Sequence, residues 1–134
     1  MDHIALHTPW TLPPTNGYHH VAEIAPGSRL VWTSGQVPLD AEGNSAAAGD
    51  WEGQTRQVMR NVGAALGAGG ASWSDVFKLT IFVVDGSELA TVRSVRDEFV
   101  NVDNPPTSSL VQVAGLADPD FLVEIEAIAA LAAA

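Results

Sequence analysis

A chain of 134 residues, 46% hydrophobic and 16% charged, is large enough to bury one core and too apolar to be disordered. Six Lys and Arg against sixteen Asp and Glu give a formal charge of −10; no basic cluster is present for a phosphate backbone, which argues against nucleic acid as a partner. The absence of cysteine excludes disulfides and thiolate chemistry, and no apolar run approaches the roughly 18 residues of a membrane span. With no basic-then-apolar leader at the N-terminus, a single cytoplasmic domain over 1–134 is expected.

Residues 1–17 contain Pro9, Pro13, Pro14 and an Asn16-Gly17 turn signal, and read as an N-terminal arm with a short strand around Ile4–Leu6. His19–Ala25 and Arg29–Thr33 flank Pro26-Gly27-Ser28, the pattern of a β-hairpin. Residues 39–50 form a surface loop. Asp50 then caps a helix in which Trp51, Thr55, Val58, Met59, Val62 and Leu66 fall at helical spacing, ended by Gly67, Gly69 and Gly70. Arg56, Arg60 and Asn61 lie off that stripe and are expected in solvent.

Val76–Asp85 alternates Phe77, Leu79, Ile81 and Val83 with Lys78, Thr80, Phe82 and Val84, a strand apolar enough to be covered on both faces. Ser87 caps a second helix of similar length, reaching about Val100, with Leu89, Val92, Val95, Arg96 and Phe99 inward. Asn104-Pro105-Pro106 stops it. Two strands follow, about Ser108–Val113 and Phe121–Ala129. The order ββ(β)–α–β–α–β–β is that of an α+β domain with two helices on one face of a mixed sheet. Phe82, Val84, Val111 and Val113 on the other face need cover, so a homo-oligomer is expected.

Three places could carry chemistry. Gly35, after the apolar Leu30-Val31-Trp32, lets backbone approach a ligand, and beside Ser34 its N–H can donate to a carboxylate or carbonyl; a plain strand end fits the same residues. In Val123–Ala129 the apolar face is Val123, Ile125, Ala127 and Ala129, and Glu124, Glu126 and Ile128 point the other way. A carboxylate against apolar walls can orient or activate water, although a half-solvated strand is the commoner setting for an isolated Glu. His3, His7, His19 and His20 match no metal-ligand spacing, and no metal or other cofactor is expected.

Thr33-Ser34-Gly35-Gln36-Val37-Pro38, Gln54-Thr55-Arg56-Gln57 with Asn61-Val62, Phe77–Val83, Ala90-Thr91-Val92 and Glu124–Ala129, in this order and at these separations, resemble the RidA (YjgF) family. Gly17-Tyr18-His19-His20 is similar to the Gly-Tyr-x-His entry of many members. The resemblance implies a chorismate-mutase-like fold assembled as a homotrimer around a central β-barrel, helices outside, with a small-molecule cleft at each interface. It also implies an activity, hydrolysis of enamine or imine intermediates such as 2-aminoacrylate to a 2-keto acid and ammonia.

By the same resemblance Glu124 positions the attacking water, Ser34 and Gly35 supply backbone donors, and Tyr18 shapes the cleft mouth. The family's carboxylate-binding arginine falls on Ser108, its following cysteine on Leu110, and a polar asparagine of the second helix on Arg93. The Leu116–Glu124 stretch is one residue longer than usual. Three readings follow. The first is a small-molecule cleft acting on an enamine, imine or related compound other than the usual 2-imino acids, with Ser108 and Gly35 holding a polar group. The second is a non-catalytic metabolite-binding or regulatory trimer. In the third, Arg93 replaces the missing cation and 2-iminobutanoate/2-iminopropanoate deaminase activity is retained. Ribonuclease labels fit so acidic a chain poorly.

Overall fold

The computed structural model describes residues 3–134. Strands β1 (Ile4–His7), β2 (Val21–Ile24) and β3 (Arg29–Trp32) precede helix α1 (Trp51–Ala68). Then come β4 (Val76–Val83), α2 (Leu89–Arg96), β5 (Thr107–Gln112) and β6 (Val123–Leu131). The element order is the expected one. The main sheet runs β3-β6-β4-β5, antiparallel except for the parallel β4–β5 pair, and β1 and β2 form a separate antiparallel ribbon.

Helix α1 starts where Asp50 accepts the Gly53 N–H at 2.9 Å. It stops in a Schellman arrangement: Ala71 N–H reaches Leu66 O, Gly70 N–H reaches Gly67 O, and Gly70 supplies the left-handed φ of 83°. The predicted stripe faces inward, joined by the fully buried Gln54. Val58, Met59, Val62 and Leu66 pack on Leu79, Ile81 and Val83 of β4 and on Val123, Ile125, Ala127 and Ala129 of β6. Truncating any of the larger ones to Ala costs about 2–5 kcal/mol, because such a core closes only partly over the void.

Four local expectations are corrected. The segments around Pro26-Gly27-Ser28 do not pair with each other. Their turn carries the chain from β2, on β1, to β3, on β6. Helix α2 spans 8 residues against 18 for α1, because the chain beyond Arg96 tightens into i→i−3 bonds, Glu98 N–H to Val95 O and Phe99 N–H to Arg96 O. Ser87 is not its cap: Asp85 accepts the Ser87 N–H at the head of a 3-10 turn, Gly86–Glu88, that leads into α2. Asn61 is no solvated bystander, since its Nδ2 donates to the carbonyls of Val37 and Leu39 and ties the 39–50 loop to α1.

The face of the sheet away from the helices carries Lys78, Thr80 and Phe82 of β4 opposite Ile128, Glu126 and Glu124 of β6. Leu30 and Trp32 of β3, 49% and 66% exposed, lie on it, as does Val111 of β5. Phe82, Val84 and Val113 are half-buried. Among the described residues, no helix is long and apolar enough to cross a membrane.

Candidate functional site

The residues singled out from the sequence divide into two groups. The first gathers at the free edge of the sheet. His19 N–H donates to the Pro106 carbonyl at 3.2 Å, placing the 17–20 segment beside the start of β5. The His19 ring is held at both nitrogens, by Thr8 Oγ1 at 3.1 Å and Asn104 Oδ1 at 3.0 Å. His20 bonds the Pro13 carbonyl through Nε2 and meets Tyr18 edge-on, ring centres 5.8 Å apart. Tyr18 is thereby fixed over a cavity of about 400 Å³. Arg93 and Leu89 of α2 and Ser108 and Leu110 of β5 line it as well. Position on a helix left Arg93 open to a surface or a cleft role; in the fold it lines the same pocket as Ser108.

Arg96 lines that pocket too. The sequence read it only as part of the helix's inward edge, although its i,i+3 spacing from Arg93 puts the two on neighbouring positions of one face. It lies beneath Gly17, whose φ is 80°, and a Cβ at Gly17 would strike its Nη2. Glycine is needed there both for the turn and for the close approach.

The second group sits where the chain leaves β3. Thr33 N–H bonds Ala127 O at 3.0 Å, and Thr33 Oγ1 accepts the Ala127 N–H at 3.0 Å. Gln36 and Ile125 exchange both backbone bonds, at 2.8 and 3.1 Å. Ser34 and Gly35 are held between these clamps, alongside β6. The Glu124 carboxylate lies directly over Gly35, so that any Cβ on residue 35 would overlap it. Glu124 is half-buried, and the Ser34 carbonyl accepts from Gln36 Nε2 at 3.3 Å.

Within one chain the groups do not meet. Ser108 is in register with Leu79, on the helix side of the sheet, whereas Glu124 is opposite Phe82, on the open side. One chain thus presents a cationic pocket on one side and a carboxylate beside backbone donors on the other. The histidines are engaged in hydrogen bonds within the chain, His3 to the Ala130 carbonyl and His7 to Glu23. No group of three or more potential metal ligands occurs among the described residues.

The family model described as Endoribonuclease L-PSP matches residues 10–131. The chain is 41% identical over 102 residues to the 2-iminobutanoate/2-iminopropanoate deaminase of Salmonella typhimurium, covering 75% of this chain and 78% of that one. Among solved structures, YyfB of the Rid family from Yersinia pestis superposes with a TM-score of 0.85 at 31% identity, over 96% of this chain and 99% of that one. TdcF of E. coli with bound serine gives 0.70 at 35% identity, over 94% of each. Both share the α+β fold of two helices on mixed sheets. The chain belongs to the Endoribonuclease L-PSP family, that of the RidA/YjgF (Rid) proteins.

Proposed function

We propose that this protein hydrolyses a small enamine or imine carboxylate in clefts formed between copies of a homotrimer, with Arg93 as the anion anchor that Ser108 does not provide. The observation that carries the reading is the convergence of Arg93, Ser108 and Tyr18 on one pocket, with Glu124 over Gly35 on the opposite side of the same sheet. Each half lacks what the other holds, so a site with both needs two chains. The exposed Leu30, Trp32 and Val111 supply apolar surface for that packing. The deaminase name of the Salmonella relative and the serine bound to TdcF support an amino-acid-sized substrate.

In this mechanism the enamine first becomes the iminium by taking a proton from solvent at carbon. Arg93 grips the carboxylate through a fork of charge-assisted hydrogen bonds, each worth about 1.5–3 kcal/mol. Glu124 orients a water and takes its proton as the oxygen adds to the C=N carbon. Glu124 returns the proton to the amine nitrogen of the tetrahedral adduct, the C–N bond breaks as the hydroxyl gives its proton to solvent, and a 2-keto acid and ammonia leave. The Ser34-Gly35 backbone flanks the reacting atoms, and Tyr18 closes the mouth.

The test generates 2-aminoacrylate in situ and follows keto-acid formation. The native protein accelerates it; Arg93→Ala raises KM about tenfold or more, and Glu124→Gln lowers kcat about a hundredfold while retaining ligand binding. Activity untouched by Arg93→Ala overturns the anchor. No acceleration by the native protein favours a purely binding role. A monomer at micromolar concentration by analytical ultracentrifugation removes the shared cleft.

A further inference from the structure

The pocket holds two of the chain's six basic residues, and no carboxylate lines it, although acids outnumber bases sixteen to six. The other four are engaged or elsewhere. Arg56 pairs with Glu52 and Glu98, Arg29 donates to the Gly69 carbonyl, Lys78 donates to Ser109 Oγ, and Arg60 is exposed on α1.

Arg96 is the unusual member, a guanidinium only 4% exposed. Burying such a charge is costly unless it is paired. Its pairing is one-sided: Asp97 Oδ1 accepts from Nε at 2.9 Å and lies 2.9 Å from Nη2. A guanidinium carries five N–H donors in a rigid fork, and Nη1 finds no acceptor among the described residues. Yet no side-chain nitrogen there is both sealed from solvent and unpartnered. Nη1 therefore keeps some contact with solvent, and Arg96 is among the residues lining the cavity, with Asp97 on one side and Gly17 above.

We propose that this pocket selects small dicarboxylates, with Arg93 holding one carboxylate and the Nη1 edge of Arg96 the other. The inference rests on the reading above that Arg93 takes the first carboxylate, and it names the substrate class as the enamine or imine of a four- or five-carbon dicarboxylic acid. At i,i+3 the two arginines start from Cβ atoms about 5–6 Å apart, a span that the ends of such a skeleton can bridge. Leu89 and Leu110 provide apolar walls for the methylenes between. The hydrolysis product would be a 2-oxo dicarboxylate, which makes product binding the direct assay.

Calorimetric titration of the assembled protein with 2-oxoglutarate, 2-oxobutanoate and inorganic phosphate tests this. The dicarboxylate should bind about tenfold or more tightly than the monocarboxylate, the gain expected of one further charge-assisted contact. Arg96→Met should erase that preference, weakening 2-oxoglutarate far more than 2-oxobutanoate. Arg93→Met should weaken both, and Arg60→Ala, outside the pocket, should change neither. If Arg96→Met does not fold, Arg96→Lys, which keeps the charge and loses the fork, should give an intermediate preference. A structural role for Arg96 would weaken both keto acids alike and overturn the proposal. Equal affinities in the native protein overturn it too, but leave the Arg93 anchor standing if Arg93→Met still weakens both. Binding of neither keto acid overturns the anchor as well, and phosphate as the only ligand overturns the dicarboxylate assignment.

Discussion

The helix-side pocket and the Gly35–Glu124 junction are built by opposite means. The junction is short-range in space and stiff. Two segments flanking Ser34 and Gly35 are locked to β6 by hydrogen bonds, and the carboxylate over Gly35 comes from the strand they are locked to. The pocket is assembled from the 16–18 turn, one face of α2 and the edge strand β5. His19 joins the turn to the chain around β5, through its N–H on the Pro106 carbonyl and its ring on Asn104. Under the proposed mechanism, a carboxylate that aims a water benefits from a rigid strand, while a pocket that sets specificity can change with a few helix positions.

The same substitution in each half separates the two designs. Gly17→Ala is the larger. It forces a Cβ onto a φ of 80° and into Arg96 Nη2, and Arg96 cannot yield easily because it is buried and held by Asp97. A loss of about 1–3 kcal/mol is expected in denaturant unfolding, with weakened keto-acid binding. Retained stability and binding would show that the turn and Arg96 are not coupled.

Gly35→Ala meets a different neighbour. Residue 35 is outside the left-handed region, and the atoms a Cβ would overlap belong to the end of the Glu124 side chain. The carboxylate can swing aside, so stability should stay within about 0.5 kcal/mol of native. Keto-acid formation should fall about tenfold as the carboxylate leaves its position. Unchanged turnover would mean that the placement of Glu124 over Gly35 is not the one used.

The halves also differed in how well they could be read from sequence. Strand alternation placed Glu124 on the face away from Ile125 and Ala127, and the core confirms it, because period-2 patterning is local and one face is buried. The stripe of α1 was legible for the same reason. The partners of β2 and β3 were not: Pro26-Gly27 marks a turn, but no local signal tells whether a turn joins two strands of one sheet or passes between two. Helix α2 was overextended because Phe99 continues its apolar rhythm after the backbone has left α geometry. The pocket was hardest of all. Bringing Arg93 to Ser108 and Tyr18 depends on the β4–β5 register and on one bridge between His19 and Thr107, both long-range.

The smallest effect concerns neither half directly but the support behind the pocket. Arg56 of α1 forks to Glu98, just past α2, through Nη2 to Oε2 at 2.6 Å and Nε to Oε1 at 3.3 Å, and also reaches Glu52. The hydrogen bonds from Arg56 hold the Glu98 carboxyl below its ordinary range, and the N–H of Ser87 does the same for Asp85. A carboxylate whose pKa is lower folded than unfolded stabilises the fold at pH above its unfolded value and loses that contribution as pH falls through the folded one. Glu98→Gln should therefore unfold at a slightly lower temperature than native at pH 7. The gap should narrow as pH falls below the ordinary glutamate range and close once the folded carboxyl is protonated as well. The pair is exposed, so 1 M salt at pH 7 should shrink the gap as well. A gap that persists unchanged through acid and salt would assign the Arg56–Glu98 contact to packing rather than charge. Binding of keto acids should be unaffected throughout, because the fork braces α2 from behind while Arg93 and Arg96 face the cavity.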